Sequence, residues 1–111
     1  MSMNEDLGPL DRRVTIERSI AIPDGLGGEE ASWGRHADVW ASYYPISDSE
    51  RLRAAEVAAT ITARFRIRWG LDVGPTDRLV FDGRIYEIVG VKEIGRHKGQ
   101  EITAGSRAEA I

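Results

Sequence analysis

Ten consecutive residues constrain this chain more than any others. Residues 60–69 read Thr-Ile-Thr-Ala-Arg-Phe-Arg-Ile-Arg-Trp. Ile61, Ala63, Phe65, Ile67 and Trp69 alternate with Thr60, Thr62, Arg64, Arg66 and Arg68. A period of two is what a β-strand imposes, because successive side chains leave opposite faces. β-branched and aromatic residues fill the run, and neither Gly nor Pro interrupts it. One face is apolar enough for a core and the other carries three arginines. That combination predicts an antiparallel sheet with one wet face, and makes this the central strand against which other segments pair.

The flanking chain supplies those segments. Residues 10–20 alternate weakly, with Val14, Ile16 and Ile20 against Arg13, Thr15, Glu17 and Ser19. Arg18 falls on the apolar side, which predicts that this strand ends near an edge or a rim. Residues 21–32 hold Pro23, Asp24-Gly25, Gly27-Gly28 and Glu29-Glu30, the chemistry of a turn. Their number predicts a protruding hairpin arm. In residues 33–44, Val39, Ala41 and Tyr43 share one face and Trp40, Ser42 and Tyr44 the other, so both faces expect cover.

Ser47-Asp48-Ser49-Glu50 then matches a helix capping box. Leu52, Ala55 and Ala59 follow on a narrow stripe, so residues 51–59 are expected to form a short, lightly anchored helix. Asp82-Gly83 joins strands predicted at 78–81 and 84–91, and 101–104 is a last short strand. The expected core is Ile61, Phe65, Ile67, Leu79, Phe81 and Ile88. The fold class is mainly β: a small antiparallel β-barrel or sandwich of about six strands, with one short helix between strands two and three. Residues 10–105 are expected to form the single domain, between a flexible arm at 1–9 and a tail at 106–111.

Composition narrows the function. A chain of 111 residues fits one domain and one modest core. A net charge of −3 argues against coating nucleic acid by bulk charge. Without cysteine there is no disulfide framework and no thiolate metal site. The first ten residues lack the apolar run of a signal peptide. No apolar stretch approaches the ~20 residues that cross a bilayer, so no membrane partner is expected.

Candidate chemistry is sparse. His36 and His97 lie in polar surroundings, with no second ligand at metal-binding spacing. Gly25, Gly27 and Gly28 lack the Lys and Ser/Thr of a phosphate loop. Asp72, Asp77 and Asp82 read as turn residues. No enzyme, metal or cofactor is expected. The arginine stripe, Arg64, Arg66 and Arg68, is the sharp polar feature, and it has three readings. It could contact phosphates of a single strand, with Trp69 or Phe65 as stacking platforms, as oligonucleotide-binding barrels do. Its arginines could pair with Glu17, Glu87 or Glu101 on neighbouring strands. Or it could form one side of a subunit interface, with Glu29 and Glu30 as the acidic counterpart.

The order of landmarks adds a resemblance. Residues 10–16, Leu-Asp-Arg-Arg-Val-Thr-Ile, open the pattern. A Gly-rich loop leads to Trp33, then Val39-Trp40-Ala41, Pro45 and Ser49-Glu50. Residues 62–68, Asp77-Arg78-Leu79 and residues 82–88 complete it. In this order the chain resembles the head–tail joining proteins (head closure, stopper or adaptor) of long-tailed bacteriophages and gene transfer agents, over residues 10–104. The resemblance implies a β-barrel subunit of a ring, of about six or twelve copies, in a virion or gene transfer agent particle assembled in the bacterial host cytoplasm. It implies a portal-side adaptor above, a tail terminator or tail tube protein below, and packaged double-stranded DNA in the channel. It also places residues 46–59 toward that channel, with Ser47, Glu50, Arg51 and Arg53 as the residues facing DNA.

Overall fold

The computed structural model describes residues 7–46 and 61–106. Six strands make up these residues: β1 (Arg12–Pro23), β2 (Glu29–Pro45), β3 (Ala63–Arg68), β4 (Asp77–Phe81), β5 (Arg84–Ile94) and β6 (Gly99–Ser106). They close a barrel in the order β1-β2-β3-β6-β5-β4, every pairing antiparallel. No helix element occurs among the described residues. The helix expected over 51–59, and its capping box, lie outside them.

The alternation in β3 has the predicted sense. Ala63, Phe65 and Ile67 are buried while Arg64 and Arg66 lie on the outer face. Phe65 sits at the centre of an aromatic cluster, with ring centroids 5.4 Å from Tyr43, 5.5 Å from Phe81 and 5.3 Å from Tyr86. Offset and edge-on contacts of this kind add to the area that the rings bury. Val14, Ile16, Ala41, Leu79, Ile88, Ile102 and Ala104 complete the buried core, and Phe81 packs against it.

Some expectations are corrected. β3 is one stave of a closed barrel with no central position. It ends at Arg68, where Gly70 takes φ 111 and turns the chain. Trp69 therefore leaves the core face and is exposed, and Ile61, ahead of the strand, is only half-buried. β6 runs from Gly99 through Ser106, longer at both ends than the predicted 101–104. Pairing with both β3 and β5 overrides its small and glycine residues. Gly99 is needed there, because a Cβ would run into the Leu7 side chain and meet the Ile67 carbonyl oxygen at 2.8 Å. Leu7, which the sequence offers no partner, is fully buried, and its carbonyl accepts from the Ser42 hydroxyl and from Tyr44 Oη. That contact covers the outer face of β2 at Ser42, while Trp40 on the same face stays exposed, so the expected two-sided cover is only partial. At the β4–β5 hairpin, Asp82 (φ 53) and Gly83 (φ 76) both take positive φ, the conformation that makes Asp-Gly a tight hairpin signal.

Candidate assembly surface

The longest feature is the β1–β2 ribbon. β1 pairs with β2 from Arg12↔Ala41 out to Pro23↔Glu29. Its pairing with β4 covers only Thr15 to Arg18, and β2 pairs with β3 only from Ser42 to Pro45. Beyond Arg18 and before Ser42, then, the two strands have only each other among the described residues. The predicted turn region of 21–32 is mostly strand, and the turn is confined to 24–28. Asp24 organises that turn: its carboxylate accepts from the N–H of Leu26 at 2.8 Å and of Gly28 at 3.0 Å. Gly25 and Gly27 supply positive φ on either side of Leu26. The result holds Leu26 out at the tip, 91% exposed. Ile20 and Ile22 are about half exposed on one face of the ribbon.

A polar clamp fixes the base of this arm. Arg18 Nε donates to Asp77 Oδ1 at 2.9 Å and Nη2 to Asp77 Oδ2 at 3.0 Å. The same guanidinium reaches the Asp72 carboxylate at 3.3 Å and its carbonyl at 3.2 Å. His36 Nε2 lies 2.8 Å from that carbonyl. Asp77 is buried, and its carboxylate also accepts from the Gly74 N–H at 3.0 Å. The Arg18 hydrogen bonds hold the Asp77 pKa below the usual carboxylate range against the opposing effect of burial, and Asp77 in turn raises that of Arg18. Asp77 is thus a turn residue, as its sequence context suggests, and also the anchor of a bidentate pair.

Next to the clamp, β2 and β3 diverge around an open cleft of about 330 Å³. Arg13, Trp40, Arg68, Trp69 and Leu71 line it. Arg13 lies over the Trp40 ring at 5.2 Å, and Trp69 stacks on His97 at 4.4 Å. Trp40 and Trp69 are 53% and 42% exposed, so two indoles with arginines beside them meet solvent at one end of the barrel. Sequence reasoning missed this cleft. Its one signal was a pair of tryptophans at strand positions next to Arg13 and Arg68.

The arginine stripe divides. Arg66 Nε donates to Glu101 Oε2 at 2.9 Å and its guanidinium covers the Tyr44 ring at 4.7 Å. Arg64 lies 3.9 Å and Lys92 3.4 Å from Glu101 Oε1. Burial alone would raise the Glu101 pKa, but the Arg66 hydrogen bond and the Lys92 charge together lower it. Arg64 and Arg66 thus meet a carboxylate on the neighbouring strand, as the pairing reading had it, while Arg68 turns to the cleft. A second cross-strand pair joins Arg78 to Glu17 at 2.7 Å, with Arg78 over Trp33. Glu29 and Glu30 stand at the outer end of β2, exposed and remote from the stripe within one subunit. Ser47, Glu50, Arg51 and Arg53 lie outside the described residues. No group of three His, Asp or Glu side chains able to hold a metal occurs among the described residues.

The comparisons point one way. Residues 6–107 match the family of phage head completion proteins. The solution structure of a protein from Shigella flexneri 2a is similar, with 28% identity and a TM-score of 0.77, covering 92% of this chain and 96% of that one. A chain from the virion of a native gene transfer agent particle is similar at 25% identity and a TM-score of 0.60, covering 86% of this chain and 92% of that one. No curated protein matches.

Proposed function

The chain belongs to the phage head completion protein family, and on that premise we propose that it forms a ring that joins a DNA-filled head to its tail and helps close the DNA channel. Membership makes it a structural component of the virion, working in association with other virion components, and implies a non-enzymatic role. The observation that carries the finer reading is the contrast between a closed barrel and an arm that buries nothing beneath it. Two-stranded ribbons are marginal alone, and open strand edges invite another chain. A ring supplies that chain through a heterologous interface, in which two different patches meet around a closed rotation.

In this reading an adaptor protein lies on the portal side, a tail terminator or tail tube protein on the other, and packaged double-stranded DNA in the lumen. The channel-side candidates in this reading are Ser47, Glu50, Arg51 and Arg53, all outside the described residues, with Arg51 and Arg53 the ones that would meet DNA phosphates. Electron microscopy of DNA-filled, tailless heads mixed with the protein tests this. The expected result is an added ring at the portal vertex and heads that then accept tails. Failure to bind heads, together with strongly salt-dependent binding of free oligonucleotide, would overturn it. Heads completed with an Arg51→Ala/Arg53→Ala variant should assemble rings yet leak DNA before tails are added. Full retention would remove those arginines from the closure.

A further inference from the structure

We infer that the arm of one subunit docks its tip in the Arg13–Trp40–Arg68–Trp69 cleft of the next copy. This rests on the ring reading above and names its interface. Three observations meet. The arm is a preorganised ligand, since the Asp24 hydrogen bonds and two positive-φ glycines hold Leu26 outward before any partner arrives. Preorganisation lowers the ordering cost of association. The cleft has the composition of a binding centre, two half-exposed tryptophans with arginines at their edges. Finally, the charges are complementary. Residues 19–32 carry Asp24, Glu29 and Glu30 and no Lys or Arg. Arg13 and Arg68 rim the cleft, and the turn that stacks His97 on Trp69 adds Arg96. Asp38, the acidic residue of the lining, is already engaged by the Thr15 hydroxyl at 2.6 Å and by Arg35 at 2.9 Å.

The occupant must be a second copy. At about 3.3 Å per residue the paired strand runs about 17 Å from the Arg18 clamp to Pro23, and Leu26 lies beyond that in the turn, farther still from the Trp40 of its own chain. The Arg18–Asp77 pair and the His36 contact at the base keep the ribbon from folding back. Tip and cleft are different surfaces, so the contact is heterologous and repeats from copy to copy. A cleft of about 330 Å³ takes the Leu26 side chain between the indoles, with Glu29 and Glu30 toward the arginine rim.

Charge reversal tests it. Wild type, an arm variant (Glu29→Arg/Glu30→Arg), a cleft variant (Arg13→Glu/Arg68→Glu) and the chain carrying all four changes are each added to tailless heads, and ring occupancy is counted. All altered side chains are exposed, and circular dichroism checks each fold. Each half-reversed variant alone should occupy portal vertices about tenfold less than wild type. An equimolar mixture of the two should recover, because reversed arm then meets reversed cleft and native arm meets native cleft around an alternating ring. The fourfold variant should recover as well. Leu26→Asp, which leaves the barrel untouched, should lose occupancy like the half-reversed variants. Wild-type rings with undiminished occupancy by both half-reversed variants would overturn the docking and leave the ring standing. Loss in the half-reversed variants without rescue by the mixture or the fourfold chain would also overturn it. No ring from wild type would remove both readings together.

Discussion

The barrel and the β1–β2 arm are made of the same kind of strand and obey different constraints. In the barrel, each strand has two neighbours and its inner face meets a packed core. In the arm, from Ser19 to Ser32, each strand has one neighbour, and Ile20, Ile22 and Leu26 face solvent. The buried residues of the barrel are accounted for by folding. The apolar residues of the arm are not, since leaving them in water gains the free subunit nothing. In the docking proposed above, the exposed apolar residues of this braced ribbon are contacts of the assembly. On that proposal substitutions in the packed core and at the clamp are felt as stability, and those on the arm and in the exposed cleft as association.

That division can be tested by a graded series. Phe65→Ala removes the centre of the aromatic cluster and should cost ~3–5 kcal/mol through the cavity it leaves. Thermal melting measures it, and an unchanged midpoint would contradict the packing described here. Glu101→Gln should cost about 1–3 kcal/mol, because the buried carboxylate that Arg66 and Lys92 share loses its charge. A denaturant titration reads that loss.

Acid acts on the clamp. The folded pKa of Asp77 is depressed, so its contribution to stability is present above the unfolded value of about 4 and is lost as pH falls through the folded value. Glu101 follows the same sign. The free subunit should therefore hold its stability down to about pH 4 and lose it progressively below, and Asp77→Asn should flatten that part of the profile. Stability that rises on acidification would contradict the pair. At the small end, Leu26→Ser should change the melting free energy by no more than about 0.5 kcal/mol while impairing ring formation. A large loss of stability there would mean that the tip packs within its own subunit.

Much of the barrel was legible in the sequence because local rules and tertiary demand agree there. The alternation of Arg64 to Ile67, the Asp82-Gly83 hairpin and the apolar face of Val14 and Ile16 are each readable from spacing alone. The arm was legible as a protrusion, but its turn chemistry concealed how far the strands run. Gly and Pro mark the tip, while the length of the ribbon depends on pairing between Ala21 and Ala31, two residues with little signature of their own. Arg18 showed itself as a charge on the apolar side. Its partner Asp77 lies 59 residues away and could not be chosen from Asp72, Asp82 or the other acids without the register of β1 on β4. The cleft was illegible for the same reason, since Trp40 and Trp69 approach only when β2 and β3 pair and then diverge.

The most direct measurement is a cryo-electron microscopy reconstruction of heads completed with the wild-type protein. The account predicts a ring at the portal vertex in which each arm crosses to one neighbour and Leu26 lies between that neighbour's Trp40 and Trp69. A ring whose subunits touch only through their barrels, with the arms standing in solvent, would contradict it.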